Sequence, residues 1–255
     1  MWSRMPEAPT PPLQILAIGA HPDDVEISCG GTLALAVKEG FAVGVLDLTR
    51  GELATNGTVE ERAAEAEEAA RALGVAARRN AGLPDGGIDG GDPEQVRGVV
   101  RILRSLRPSI LLAHAPRDRH PDHVEASRLV DRAWYLAGLR QFDADGEPHR
   151  AEGRYYFASR IGFHPTFVVD ITPAWEEKRR AILAHRTQVT RGSKSNPTPL
   201  NDPDFLSRIE ARARHFGSQI GARYGEPFRS IEPIGFRALD ALVRSARPEP
   251  GAFTG

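Results

Sequence analysis

The chain has 255 residues, of which 40% are hydrophobic, so it is long enough to bury a sizeable core. Its formal net charge of −1 argues against bulk attraction to nucleic acid or to anionic membranes. Its single cysteine excludes an intrachain disulfide, and no apolar run in the sequence approaches the length of a membrane span. Residues 1–12 are rich in proline and lack the apolar stretch of a signal peptide, so we expect a disordered extension on a cytoplasmic protein.

In the first half of the chain, apolar strand-like segments alternate with helical ones. The pattern predicts strands at residues 15–19, 42–48, 78–81 and 109–113. It predicts helices at residues 31–39, 58–73, 92–106 and 124–137, with Gly30-Gly31 as a tight turn into the first helix. This alternation is typical of an α/β fold with a Rossmann-like, mostly parallel sheet and helices on both faces.

The second half of the chain is less regular. Strands are predicted at residues 154–158 and 167–171, and helices at residues 173–185 and 202–224. Residues 187–202 contain few apolar residues and are predicted to form a long loop, a kind of segment that often serves as a substrate lid. Since no segment resembles a linker, we expect residues 13–255 to form a single domain.

Two short clusters of potential metal ligands follow the first and the fourth predicted strand. They are His21-Pro22-Asp23-Asp24 and Asp118-Arg119-His120-Pro121-Asp122-His123. In a Rossmann-like sheet these two strands are neighbours, at the point where the winding of the chain reverses. The fold should therefore bring the two clusters together at the carboxyl ends of the strands, where ligands bind in such sheets.

The residue types in the two clusters suit a catalytic metal. Zinc in a catalytic site takes about three protein ligands and leaves a position for water, whose pKa it lowers. His21, His123 and one of Asp23 or Asp24 would supply these ligands. The spare aspartate could accept the proton of the water as a general base. These parts suit hydrolysis of an amide or ester, and we find no serine or cysteine in a recognisable nucleophile motif.

Further residues near the clusters have candidate roles in catalysis and substrate binding. A protonated His120 could stabilise an oxyanion or give a proton to a leaving amine, and Asp122 could orient it and hold it charged. Arg50 and Arg119 both follow strand ends on the predicted active-site side. Because arginine pairs with carboxylates and donates to hydroxyls, we predict that both help to hold the substrate.

Five segments of the sequence resemble the PIG-L/LmbE-like deacetylase family, and their order matches its bacillithiol-pathway branch, which deacetylates N-acetylglucosaminyl-malate. These segments are residues 21–27, 47–58, 82–85, 118–123 and 217–221. The resemblance extends over nearly all of residues 15–236 and implies the LmbE-like fold. The branch often forms hexamers, so the resemblance also implies a homo-oligomer.

The resemblance assigns roles that spacing alone leaves open. It implies that zinc is bound by the residues matching the family ligands, namely His21, Asp24 and His123. It makes Asp23 the general base, which decides between the two aspartates. It also implies that His120 assists the oxyanion and the leaving group, supported by Asp122 and Arg119. Fe²⁺ can occupy similar sites, so the sequence leaves the resident metal open.

We therefore expect a zinc-dependent enzyme that releases acetate from N-acetylglucosaminyl-malate in bacillithiol biosynthesis. Cations of the long loop and its start, namely Arg186, Arg191 and Lys194, would suit the two carboxylates of malate. The alternatives are deacetylation of N-acetylglucosamine or chitooligosaccharides, and a thiol-conjugate amidase. A metal-dependent sugar-binding protein without turnover is a third possibility, against which the presence of Asp23 and of the His120–Asp122 pair argues.

Overall fold

The structure is a computed structural model that describes residues 12–159, 161–193 and 195–235. The predicted extension, except for its last residue, and Lys194 lie outside the described residues. The strands are β1 Ile15–Gly19, β2 Val43–Thr49, β3 Ala77–Leu83, β4 Ile110–His114, β5 Gly153–Phe157, β6 Phe167–Asp170 and β7 Gly225–Arg229. The helices are α1 Asp24–Lys38, α2 Val59–Leu73, α3 Pro93–Leu106, α4 Pro121–Ala137, α5 Trp175–Ala184, α6 Arg186–Val189 and α7 Phe205–Ser218, with a 3₁₀ turn at Thr172–Ala174.

The strands form one sheet in the order β3-β2-β1-β4-β5-β7-β6. The first five strands in this order are parallel, whereas β7 runs antiparallel to both β5 and β6. As predicted, β1 and β4 are neighbours, with Ile15 opposite Ile110. The predicted α/β class and mostly parallel Rossmann-like sheet are thus confirmed. Each of the two ligand clusters lies at the carboxyl end of one of these central strands.

Helices cover both faces of the sheet because alternate residues of its buried strands point to opposite sides. In β1, Leu16 and Ile18 belong to the apolar core that contains residues of α3 and α4. Ala17 belongs to the opposite core, together with residues of α1, α2 and α5. In the part of the chain that the structure describes, no helix is long and apolar enough to cross a membrane.

Several helix ends follow directly from local chemistry. Thr58 and Glu61 form the predicted reciprocal capping box at the start of α2, and Gly74 ends this helix in a left-handed conformation with φ 75°. At α3, the Asp92 carboxylate accepts from the backbone N–H groups of Glu94 and Gln95. These helices begin where the sequence predicts, which fixes the loops that precede them near the sheet edge.

The prediction for α1 is wrong at its start. The helix begins at Asp24, and Gly30 and Gly31 lie within it instead of forming a turn. Gly31 is needed for packing, since a Cβ atom there would come within 2.7 Å of the Ile171 Cδ1 atom. The early start places the first ligand cluster at the amino end of the helix.

The carboxyl-terminal part also differs from the prediction. The predicted helix at residues 202–224 covers only Phe205–Ser218, and the strand β7 follows it. β7 is a five-residue run with a proline at its centre, so its sequence lacks a clear strand pattern. The residues that precede α7 form part of the wall of the site described next.

Candidate metal centre and active site

The turn after β1 holds the first cluster in an unusual backbone conformation. Asp23 has φ 121°, which is rare for a residue other than glycine and costs roughly 1–3 kcal/mol. Strain of this kind persists only where surrounding contacts enforce it. Here the backbone N–H of His21 donates to Asp24 Oδ2 at 2.8 Å, and the N–H of Ile27 donates to the Asp23 carbonyl. The strained turn directs two successive carboxylates towards the end of the sheet.

Asp24 lies between the two histidines predicted to share a metal with it. Its Oδ2 atom is 3.4 Å from His21 Nδ1, and its Oδ1 atom is 3.2 Å from His123 Nε2. All three residues are buried, with at most 8% of each exposed. The structure thus brings together the three predicted ligands, which come from the turn after β1, the start of α1 and the first turn of α4.

Three carboxylates surround the ring of His21. Its Nε2 atom lies 3.1 Å from Asp85 Oδ1 and 3.2 Å from Asp122 Oδ2, while Asp24 faces its other ring nitrogen. Burial alone would lower the pKa of His21, but the hydrogen bonds to Asp122, Asp24 and Asp85 raise it to about 12. Asp85 lies in one of the segments that resemble the family, but no local pattern in the sequence indicates a role for it.

These residues fit a divalent cation. The part of the chain that the structure describes contains overlapping groups of potential ligands whose donor atoms lie within 4.8 Å of one another. They are His21 with His120 and His123, Asp24 with His114 and His123, and His21 with Asp85 and Asp122. Buried imidazoles and a surplus of carboxylates are the ligand set that zinc and related metals bind.

His114 is close to this centre, but its hydrogen bonds indicate a structural role. It is 1% exposed, and its Nε2 atom lies 3.1 Å from the backbone nitrogen of Ala20 and 3.2 Å from Asp24 Oδ2. The other ring nitrogen, Nδ1, lies 3.3 Å from the Ser159 hydroxyl. His114 is not one of the predicted ligands, and its burial at the end of β4 beside Asp24 indicates that it supports the site from within the core.

Asp23, the predicted general base, is paired with an arginine that sequence analysis missed. Arg62 on α2 donates from Nη2 to the Asp23 carboxylate at 3.3 Å and to the Pro22 carbonyl at 2.7 Å, and from Nη1 to the Gly51 carbonyl at 2.9 Å. Burial raises the pKa of Asp23 to about 6, although the charge of Arg62 lowers it. A carboxylate with a pKa near 6 suits a general base at neutral pH.

The contacts of His120 and Asp122 differ from the predicted pairing. Asp122 Oδ2 accepts the backbone N–H of Gly86 at 2.7 Å and lies near His21 Nε2, so in this structure it supports His21. The His120 ring is exposed and stacks 4.7 Å from the ring of His123. Burial, followed by the charges of His123 and His21, lowers the pKa of His120. The protonated form proposed for His120 is therefore disfavoured until a negative charge develops beside it.

A buried charge cluster lies beneath the site. Glu26 on α1 is 0% exposed and forms ion pairs with Arg78 and with His185. Arg78 also binds Asp47 in β2 through two hydrogen bonds of 2.8 and 2.9 Å. Since breaking a buried ion pair leaves an uncompensated charge, this cluster fixes the start of α1 against the sheet.

The two clusters open into a cavity of about 670 Å³. Both predicted substrate arginines are exposed, but only Arg119 is among the residues that line the cavity, and Arg50 is not. Residues from α7 and the loop before it form an opposing wall, namely Pro199, Leu200, Phe205, Arg208, Ile209 and Arg212. A wider depression of about 1050 Å³ between residues 87–91 and α4 contains none of the predicted site residues.

Similarity to known proteins agrees with this geometry. Residues 16–134 match the family described as GlcNAc-PI de-N-acetylase, PIG-L. The chain is 32% identical over 244 residues to the diacetylchitobiose deacetylase of Thermococcus kodakarensis, covering 87% of this chain and 84% of that protein. The chain belongs to the PIG-L family. Its members are metal-dependent deacetylases of the N-acetylglucosamine type, and this protein is therefore an enzyme of that type.

A second relative and a solved structure are also similar to the chain. The 1D-myo-inositol 2-acetamido-2-deoxy-alpha-D-glucopyranoside deacetylase of Rhodococcus opacus is 28% identical over 239 residues, covering 69% of this chain and 82% of that protein. The crystal structure of the conserved protein TT1542 from Thermus thermophilus superposes with a TM-score of 0.81 at 42% identity, covering 88% of this chain and 97% of that one. The two relatives are thus named for substrates that carry different groups on the acetylated amino sugar.

Proposed function

We propose that this protein removes the acetyl group of a small N-acetylglucosamine glycoside by metal-dependent hydrolysis, with zinc as the metal and Fe²⁺ as a possible substitute. The observation that carries the proposal is the position of Asp24, with one carboxylate oxygen facing His21 and the other facing His123. These three residues would hold the ion. A metal bound there supplies hydroxide near neutral pH by lowering the pKa of water.

The other residues of the site would then move protons and hold the substrate. Asp23, held by Arg62, would accept the proton of the attacking water. His120, exposed at the cavity, would stabilise the oxyanion and pass a proton to the leaving amine. Asp122 would support this step through the hydrogen-bonded cluster around His21. Arg119 would donate to sugar hydroxyls from the cavity wall.

The proposal also specifies which group is attached to the N-acetylglucosamine of the substrate. The segments that resemble the bacillithiol branch favour N-acetylglucosaminyl-malate. Of the loop cations predicted to bind malate, Arg186 pairs with Glu68 at 2.6 Å, and neither Arg186 nor Arg191 lines the cavity. Arg119 and Arg208 do line it and could meet the malate carboxylates in their place.

Diacetylchitobiose is a second candidate substrate because of the 32% identity to a relative named for it. We propose further that the enzyme acts in the cytoplasm on soluble substrates, and that it forms a homo-oligomer, a hexamer by resemblance.

The test is acetate release by metal-loaded protein from N-acetylglucosaminyl-malate, diacetylchitobiose, the inositol glycoside and free N-acetylglucosamine. A kcat/KM at least several-fold higher for the malate glycoside, and falling as salt rises, would support the malate assignment, since exposed charge pairs are screened by salt. Faster hydrolysis of diacetylchitobiose would instead identify the second candidate. Absence of acetate from all four substrates, with metal bound, would overturn the proposed function.

A further inference from the structure

Part of the cavity wall consists of two loops that meet. The rim loop, residues 50–58 between β2 and α2, contributes Leu53, Ala54 and Thr55 to the lining. The approach loop, residues 195–204 before α7, contributes Pro199 and Leu200. Elsewhere much of the lining comes from the amino-terminal ends of α1 and α4 and from α7. The size of the cavity on this side therefore depends on how the two loops are joined.

A single side chain makes a reciprocal link between the loops. The Nδ2 atom of Asn56 donates to the backbone carbonyl of Asn196 at 3.0 Å, and the backbone N–H of Asn196 donates to Asn56 Oδ1 at 2.8 Å. The side-chain amide of Asn56 thus pairs with both backbone polar groups of one residue. We call this pair the clasp.

Neighbouring contacts hold both sides of the clasp in place. On one side, Gln188 Nε2 donates to the Asn56 backbone carbonyl at 2.7 Å, and Gln188 itself lines the cavity. On the other side, Asn201, which is 2% exposed, donates from Nδ2 to the Asn196 carbonyl at 2.9 Å. Gly57 has φ 79°, and a Cβ atom there would come within 2.6 Å of the Thr187 hydroxyl. The rim loop thus lies directly against the start of α6.

We propose that the Asn56–Asn196 clasp is a determinant of substrate size, restricting this enzyme to N-acetylglucosamine glycosides of one or two rings. The inference rests on the proposed function. A cavity of about 670 Å³ is of the size that encloses one small ligand, and a disaccharide is such a ligand. Asn56 and Asn196 do not line the cavity, but Thr55 and Pro199 on the same two loops do, so the clasp would act by holding this wall in place against a longer oligomer.

The experiment compares tetra-N-acetylchitotetraose with diacetylchitobiose through the ratio of their kcat/KM values for acetate release by the metal-loaded protein. The ratio is low in the wild type. In Asn56→Ala it rises on the order of tenfold, the population shift expected from losing two ordinary hydrogen bonds. Asn56→Asp keeps the acceptor for the Asn196 N–H and loses the donor, so its ratio lies between the two.

Asn196→Ala is the matched control. Because the clasp uses only the backbone of Asn196, this variant keeps the wild-type ratio. An unchanged ratio in Asn56→Ala, or a wild type that takes the tetramer as readily as the dimer, would overturn the size limit. If Asn56→Ala fails to fold, as judged by circular dichroism, the Asn56→Asp result decides.

Calorimetric binding of the same sugars separates this inference from the proposed function. One outcome is that the wild type prefers to bind the dimer, that Asn56→Ala loses this preference, and that no acetate is released. This outcome would overturn the proposed function and support the role of the clasp. Acetate release together with equal affinities of the wild type for dimer and tetramer would overturn only the proposal that the clasp limits substrate size. Failure of both sugars to bind overturns the size limit, since it is a statement about such sugars.

Discussion

Asp24 Oδ1 lies 3.2 Å from His123 Nε2, and this contact joins the motif after β1 to the motif after β4. The two strands are hydrogen-bonded neighbours in the sheet. The contact therefore depends on the strand order, and the two motifs form one site only in this topology. Removing a predicted metal ligand from either motif should accordingly have the same consequence, which is loss of the metal.

We expect chelation to abolish deacetylation, and Zn²⁺ or Fe²⁺ to restore it. The double variant His21→Ala/His123→Ala should retain no metal, because only one carboxylate of the predicted ligand set remains. Elemental analysis after gel filtration measures the occupancy. His149→Ala provides a control, since this histidine binds the Pro108 carbonyl outside the site. Full metal occupancy in the double variant would show that other residues bind the ion.

Asp23→Asn should separate proton transfer from metal binding. If Asp23 is the general base, the variant loses roughly 10²–10⁴-fold in kcat, because an amide cannot accept the proton. The metal content should stay at the wild-type level, since Asp24 supplies the carboxylate that faces both histidines. Loss of metal together with loss of rate would mean that the roles of Asp23 and Asp24 are exchanged.

Sequence patterns predicted the parts of this structure that depend on local chemistry. Alternating strands and helices gave the central parallel strands, and the βα order placed the two clusters at adjoining strand ends. The capping box at Thr58 is likewise a local pattern that the structure reproduces. These features could be predicted because each depends on neighbouring residues or on a general rule of sheet winding.

Other features depend on contacts between distant residues, which no local pattern records. Arg62 reaches Asp23 across 39 positions, and Asp85 reaches His21 across 64. Gly31 is required by Ile171, which packs against α1 from the region after β6. Sequence analysis placed Arg50 in the site because β2 ends on the correct side, but the direction of its side chain depends on the loop that follows.

The two glycines within α1 should respond oppositely to alanine. Gly31→Ala should destabilise the fold by about 1–3 kcal/mol, because its Cβ would overlap Ile171. At Gly30 the nearest atom to a new Cβ is Leu73 Cδ2 at 3.6 Å, so Gly30→Ala should stabilise the helix by about 0.5–1 kcal/mol. Urea denaturation measures both changes. Equal destabilisation by the two variants would contradict the assigned packing.

Arg119 and Arg50 should differ in their effect on substrate binding. Arg119→Ala should raise KM roughly tenfold with little change in kcat, because Arg119 lines the cavity and charged hydrogen bonds to the substrate are lost. Arg50→Ala should change KM much less, since Arg50 lies outside the lining of the cavity. Steady-state kinetics on the preferred glycoside decides the matter. A larger KM effect at Arg50 would return that residue to the substrate site.

Arg62 should control the pH range in which Asp23 works. The Asp23 carboxylate acts as a base only when ionised, so activity is present above its pKa and is lost as the pH falls through it. Burial raises this pKa to about 6 and the charge of Arg62 opposes the rise, so Arg62→Met should raise the pKa further. The acidic limb of kcat/KM should therefore move to higher pH. At a fixed pH below that limb, activity falls roughly tenfold for every pH unit by which the limb moves.

The matched control is Arg71→Met, which removes an exposed arginine from the same helix and should leave the pH profile unchanged. Arg62→Lys keeps the charge but loses the planar group that binds Asp23, Pro22 and Gly51 together, so it should shift the limb less while lowering kcat. A pH-independent loss of activity in Arg62→Met, with the acidic limb unmoved, would show that Arg62 only supports the fold of the turn.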